Sequence, residues 1–201
     1  MCDSLKGRFG KRRSATRGEY AAAIDLAQAV KLTLNLRHPA WCQAVTVTIN
    51  GRRWSTSRQT GTYIAINRVW HDGDTVEVHL PMTLRTEPLS GHTDVVAILY
   101  GPIVLAGRLG RRGLTSGAGI IVNERTYGDL LNTEVAVPVL IGDAQEIVRQ
   151  IKPAAESALT FQTDGIGSPR DVSPIPFYCI AHERYNLYWV TKRPGDALIG
   201  S

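Results

Sequence analysis

The sequence predicts an all-β protein, a β-sandwich module followed by a second, smaller β-rich module. From Lys31 to Gly107 apolar residues recur with period two in short runs broken by turn residues. That spacing puts alternate side chains on one face of a half-buried strand. Further β-rich runs follow at spacings of 8 to 15 residues with no amphipathic helix between them, which favours a sandwich over alternating strand–helix units. The expected organisation is a disordered basic leader at 1–20, a sandwich at 21–107, a linker or loop at 108–119 and the second module at 120–201.

Residues 19–30, EYAAAIDLAQAV, have helix-forming composition, although Ile24, Leu26 and Val30 also fit a strand running toward Lys31 and no cap precedes them. After Lys31 the pattern is plain: Leu32, Leu34 and Leu36 share one face, and Pro39 ends the strand. Val45, Val47 and Ile49 alternate with Thr46 and Thr48, and Asn50-Gly51 follows at once. Both residues accept positive φ, so a hairpin with a return strand at Arg52–Trp54 is predicted. Thr62–Asn67 is a further strand, and His71-Asp72-Gly73-Asp74 is a turn leading to Val76, Val78 and Leu80. Val95–Tyr100 and Ile103–Ala106 are almost wholly apolar and should be central strands with Gly101-Pro102 as the bend. In the second half, Val135–Ile141, Leu159–Gln162, Val172–Tyr178 and Arg184–Val190 are expected strands, Thr163–Arg170 is a loop, and Gln145–Lys152 fits helix or strand.

Composition narrows the function. Hydrophobic residues at 43% and charged residues at 20% suit a globular domain, and no apolar run approaches the roughly 20 residues that cross a bilayer. No membrane partner is expected. The net charge is +5, but Lys6, Arg8, Lys11, Arg12, Arg13 and Arg17 against Asp3 and Glu19 place +4 of it in residues 1–20. The folded part therefore lacks the basic face that phosphate binding needs, and no nucleic-acid partner is expected. The leader has no apolar segment of the secretory kind; it is either a short interaction tail or the remnant of a misplaced start. Cys2, Cys42 and Cys179 are odd in number and far apart, which supports neither a disulfide framework nor a zinc site. Free thiols in a reducing compartment are the expectation, with the location left at the cytoplasmic default and no cofactor.

No residue set stands out as catalytic or metal-binding. Asp72 and Asp74 are a close carboxylate pair such as glycoside hydrolysis uses across a cleft, but they flank Gly73 in a tight turn, where Asp bonds backbone amides. His182 beside Glu183 is an acid/base pair only if both face one cleft, whereas neighbours in an extended segment point apart. Trp41, Trp54, Trp70 and Trp189 could stack on sugar rings, yet aromatics in a β core are commoner, and at most one of the four is assigned to a ligand. Trp70 is expected in the core beside the Asp72–Asp74 turn. Trp70, His182 and Glu183 are the candidate carbohydrate contacts.

The segments LTLNLRHPAW (32–41), VTVTING (45–51), VWHDGDTVEVHLPM (69–82) and VAILYGPIVLAG (96–107) resemble, in order and spacing, the region after the catalytic domain of the β-L-arabinofuranosidase family, glycoside hydrolase family 127 and its relatives. LTFQTDGIGSPRDV (159–172) and PFYCIAHERYNLYW (176–189) resemble the C-terminal domain of unknown function attached to many of those proteins. The resemblance recasts IDLAQAVKLTLNLR as two strands joined by a short turn. In that family, retaining hydrolysis takes place in an (α/α)6 barrel with a cysteine nucleophile, a glutamate and zinc, and none of those motifs matches a position here. What the resemblance implies is a non-catalytic β region, structural in role, with a catalytic (α/α)6 barrel or carbohydrate as partner. The alternatives are an independent carbohydrate-binding protein and a small enzyme using His182 and Glu183.

Overall fold

The computed structural model describes residues 18–56, 59–112, 114, 135–155 and 158–196. The leader through Arg17, most of the expected linker and the start of the expected second module lie outside them. The described chain is all-β apart from one short helix and a 3₁₀ turn at Phe177–Cys179. It forms two compact units, Met1–Thr83 and Leu84–Ser201.

The first unit contains β1 (Glu19–Ala23), β2 (Val30–His38), β3 (Thr46–Ile49), β4 (Arg52–Trp54), β5 (Thr62–Trp70) and β6 (Thr75–His79). The short segment Ile24–Ala29 separates β1 from β2, so the helical composition at 19–30 yields to the sheet, and Glu19 and Tyr20, assigned to the leader, belong to β1. One sheet has the order β1-β6-β3-β4, and β2 pairs with β5 in a second. β2 alternates as the sequence predicts, Leu32, Leu34 and Leu36 turning inward while Lys31, Thr33 and Asn35 are exposed. Those leucines pack with Val47, Ile49 and Val76 of the first sheet and Ile64, Ile66 and Trp70 of β5 in one apolar cluster. The Asn50-Gly51 turn has positive φ at both residues (50° and 74°), as a two-residue hairpin requires.

The second unit contains β7 (Leu84–Leu89), β8 (His92–Tyr100), β9 (Ile103–Gly110), β10 (Val139–Ile141), α1 (Ala144–Arg149), β11 (Ile151–Pro153), β12 (Phe161–Thr163), β13 (Gly167–Ser168), β14 (Pro174–Pro176), β15 (Arg184–Asn186) and β16 (Tyr188–Lys192). Its main sheet runs β13-β10-β16-β8-β9-β14, with β7 added on β8 and β15 on β9. Val96, Ile98, Leu105, Leu140, Ile147, Phe161 and Trp189 are among its buried core residues. The segment at Gln145–Lys152 is mostly helical because Asp143 caps it: its side chain accepts from the amides of Gln145 and Glu146, both at 2.8 Å, and Glu146 Oε2 accepts from the Asp143 amide at 2.8 Å. This reciprocal cap satisfies donors that a short helix leaves open.

The structure moves one boundary. The first module was expected to run to Gly107, whereas the units divide between Thr83 and Leu84, and Gly107 lies inside β9. The reason is pairing: Val95–Ala97 of β8 ladder with Tyr188–Val190 of β16, so β8 and β9 are built into the sheet of the second unit, which is the longer one. Arg108–Gly110, expected in the linker, continue β9.

Candidate binding cleft

Trp70 is fully buried. Its indole Nε1 donates to the Leu32 carbonyl at 3.3 Å, and the Arg68 guanidinium lies over its ring at 4.9 Å. It has no face left for a sugar, so its place among the carbohydrate contacts is corrected to that of a core residue. His182 is exposed at a positive φ of 50°. Glu183 is taken up by Arg108, whose Nε donates to Glu183 Oε1 at 2.8 Å. The Glu183 carboxylate, whose side chain is 7% exposed, thus holds β9 against the segment that leads into β15.

The Asp72–Asp74 turn is likewise occupied by structural bonds. Asp74 Oδ1 accepts from Asn50 Nδ2 at 2.7 Å, and its Oδ2 accepts from the His71 amide at 3.0 Å and faces Arg68 Nη2 at 3.5 Å. Asp72 Oδ1 accepts from the Leu26 amide at 3.0 Å. Burial pushes the Asp74 carboxyl up, but the bonds from Asn50 and His71 and the charges of Arg68 and His71 outweigh it and hold the pKa below the ordinary value. Such a carboxylate stays ionised and does not serve as a general acid near neutrality. In the second unit Asp171 does the same for another loop: it accepts from Thr163 Oγ1 at 2.7 Å and from the amides of Gly165, Ile166 and Gly167 at 2.8, 3.2 and 2.9 Å.

Cys42 is buried and Cys179 exposed, while Cys2 lies outside the described residues. Burial pushes the Cys42 thiol up, which keeps it protonated and inert. Among the described residues no group of three or more His, Cys, Asp and Glu side chains is placed to hold a metal.

What the structure does provide is a cleft of about 660 Å³ in the first unit. It is lined by His38 at the end of β2, by Gln43–Thr46 leading into β3, and by Arg53–Thr56 at the end of β4. The hairpin register explains the grouping: Val47 faces Trp54 and Thr48 faces Arg53, so the start of β3 and the exit of β4 meet at the sheet edge. Val47 is fully buried, and Trp54, on the same side of the hairpin, packs against the core cluster while it also lines the cleft. His38 is fully buried, and its Nε2 lies 2.9 Å from the Cys42 carbonyl. Since a carbonyl only accepts, Nε2 donates, and the buried Nδ1 has no hydrogen-bond partner among the described residues. Sequence reasoning did not single out this cleft, although the Asn-Gly turn and its register would have brought Gln43–Thr46 beside Trp54–Thr56.

Comparison with known proteins bears on what surrounds these features. The profile of the β-L-arabinofuranosidase, GH127 middle domain matches residues 11–82, and that of a domain of unknown function matches residues 85–191. The break between them coincides with the division of the two units. No curated protein matches the sequence. Among solved structures, a GH127 β-L-arabinofuranosidase from Geobacillus stearothermophilus T6 superposes with a TM-score of 0.63 at 20% identity, covering 92% of this chain and 30% of that one. A protein described as a glycoside hydrolase gives 0.55 at 18% identity, covering 89% and 31%. A GH127 β-arabinofuranosidase gives 0.56 at 19%, covering 90% and 31%. The chain therefore spans under a third of the length of these relatives. Residues 11–82 thus match the β-L-arabinofuranosidase, GH127 middle domain and residues 85–191 belong to a domain family of unknown function, and the chain has the fold of a partial, all-β region of GH127 β-L-arabinofuranosidases.

Proposed function

We propose that this chain is the non-catalytic β region of a β-L-arabinofuranosidase-like glycoside hydrolase and serves as structural support for a catalytic (α/α)6 barrel. The observation that carries the reading is the succession of the middle-domain profile and the second profile over a chain that spans under a third of its solved relatives. The chemistry of the described residues agrees with it. Retaining hydrolysis needs an acid and a nucleophile facing one bond across about 5 Å. Asp72 is held by the Leu26 amide, Asp74 by the His71 amide and Asn50, and Glu183 by Arg108.

The test is turnover of nitrophenyl arabinofuranosides and a panel of other nitrophenyl glycosides, with and without zinc, by the full chain and by its His182→Ala and Glu183→Ala variants. The expected result is hydrolysis at the buffer rate in every case. Turnover well above that rate that disappears in either variant overturns the proposal in favour of a small enzyme built on His182 and Glu183.

A further inference from the structure

We propose that the cleft at the open end of the β3–β4 hairpin is a binding site for a short neutral oligosaccharide, with Trp54 as its stacking platform. The inference rests on the reading above only for the sugars chosen as probes; the site itself is argued from its walls. Its volume of about 660 Å³ falls within the roughly 300–1,000 Å³ of small-molecule clefts. Its described lining residues are Trp54, the neutral polar Gln43, Thr46, Ser55 and Thr56, Arg53, and small or apolar residues beside His38.

Among the described residues no carboxylate lines the cleft, so none is placed there to hold a cation. Among the described lining residues Arg53 carries the one guanidinium, a weak anion site by itself, and its N–H groups also donate to neutral sugar hydroxyls. A tryptophan anchored in the core on one side and available to a cleft on the other offers an aromatic face without further ordering cost. Sugars present C–H faces that stack on such a ring and hydroxyls that both donate and accept. His38 lines the cleft from the core side, fully buried and with its Nε2 2.9 Å from the Cys42 carbonyl.

The experiment is titration of the isotope-labelled full chain with arabinotriose, xylotriose and cellotriose, and with trigalacturonic acid as an anionic control, followed by amide and indole resonances. The expected result is saturable binding of a neutral trisaccharide with Kd of about 1 mM or tighter. Shifts should be confined to residues 38–56 and the Trp54 indole. Trp54→Ala should weaken it by about tenfold or more, Trp54→Phe should retain most of the affinity, and Gln43→Ala should weaken it severalfold. If Trp54→Ala unfolds the first unit, Trp54→Phe and Gln43→Ala decide. Absence of neutral-sugar binding, tighter binding of the anionic trisaccharide, shifts away from the cleft, or binding indifferent to Gln43→Ala overturns the proposal. A chain that binds no sugar and also lacks glycosidase activity overturns this inference alone and leaves the structural reading standing.

Discussion

Gly107 provides the sharpest test of how the second unit is packed. A Cβ built on it would lie 2.3 Å from both Cζ2 and Cη2 of Trp189, more than about 1 Å inside the ordinary 3.5–4.0 Å carbon contact. Trp189 is fully buried, so its ring cannot swing into solvent, and native packing leaves few voids to receive it. The glycine is therefore required by close approach and not by its φ, which any residue adopts. Gly107→Ala should gain about 0.4–1 kcal/mol by restricting the unfolded chain and lose more than that by overpacking, which typically costs about 1–3 kcal/mol. A net destabilisation of about 1–2 kcal/mol is expected. Trp189→Phe removes both clashing carbons, and because Trp189 Nε1 has no partner it forfeits no hydrogen bond. In the double variant Gly107→Ala should then be nearly free, a coupling of about 1–2 kcal/mol. The assay is urea unfolding of the full chain followed through amide resonances of β8, β9 and β16, so that the first unit does not enter. A Gly107→Ala variant within about 0.5 kcal/mol of the parent, or a strictly additive double variant, refutes the reasoning.

In the first unit, Trp70→Ala should cost about 3–5 kcal/mol because the ring is fully buried between β2 and the core; a loss below about 1 kcal/mol in urea unfolding would return Trp70 to the surface. Asp171 gives a pH-dependent expectation. Burial pushes its carboxyl up, but the bonds from Thr163 and the amides of Gly165, Gly167 and Ile166 outweigh it and hold the pKa below the ordinary value. A depressed folded pKa means stability that is present above the unfolded pKa of about 3.9 and lost as pH falls through the folded value. Asp171→Asn should therefore cost about 1–3 kcal/mol near neutrality and close on the parent as the pH drops below that window, as read from urea midpoints across pH. A gap that is constant with pH would show that the ionised form is not what the loop amides select.

Local signals were legible wherever one residue type has one structural outcome. Asn50-Gly51 named a hairpin, and Leu32, Leu34 and Leu36 named the buried face of β2, because positive φ and period two leave little choice. β7 went unread because Leu84–Leu89 alternates poorly and contains Pro88, which cannot donate to a ladder; Pro88 sits where the register with β8 shifts. The helix α1 carries the Asp143–Glu146 cap in its sequence, but Ala144–Arg149 is too short for a helical period to show against strand-like Ile147 and Val148. The module boundary was misjudged for a different reason. Ownership of β8 is decided by pairing such as Val96 with Trp189, and nothing local to residues 95–107 announces a partner so distant in the chain.

The same distinction governs the cleft. Singly, Gln43, Arg53, Ser55 and Thr56 are ordinary exposed or half-exposed residues, and Trp54 is one tryptophan of four. Their chemistry arises when the hairpin register sets the entry of β3 beside the exit of β4 and β2 ends there with His38. Trp70 and Trp189 illustrate the opposite outcome: each is as suited to stacking on a ligand as Trp54, but the sheets close over them and convert their area into core. Exposure at the edge of β4, and not residue type, is what separates the one tryptophan proposed to bind sugar from the two that each sit in the core of their own unit. Burial relieves Trp70 and Trp189 of any ligand role, while the edge position gives Trp54 a core contact that fixes its ring and a cleft that leaves it accessible. A stacking platform needs both properties.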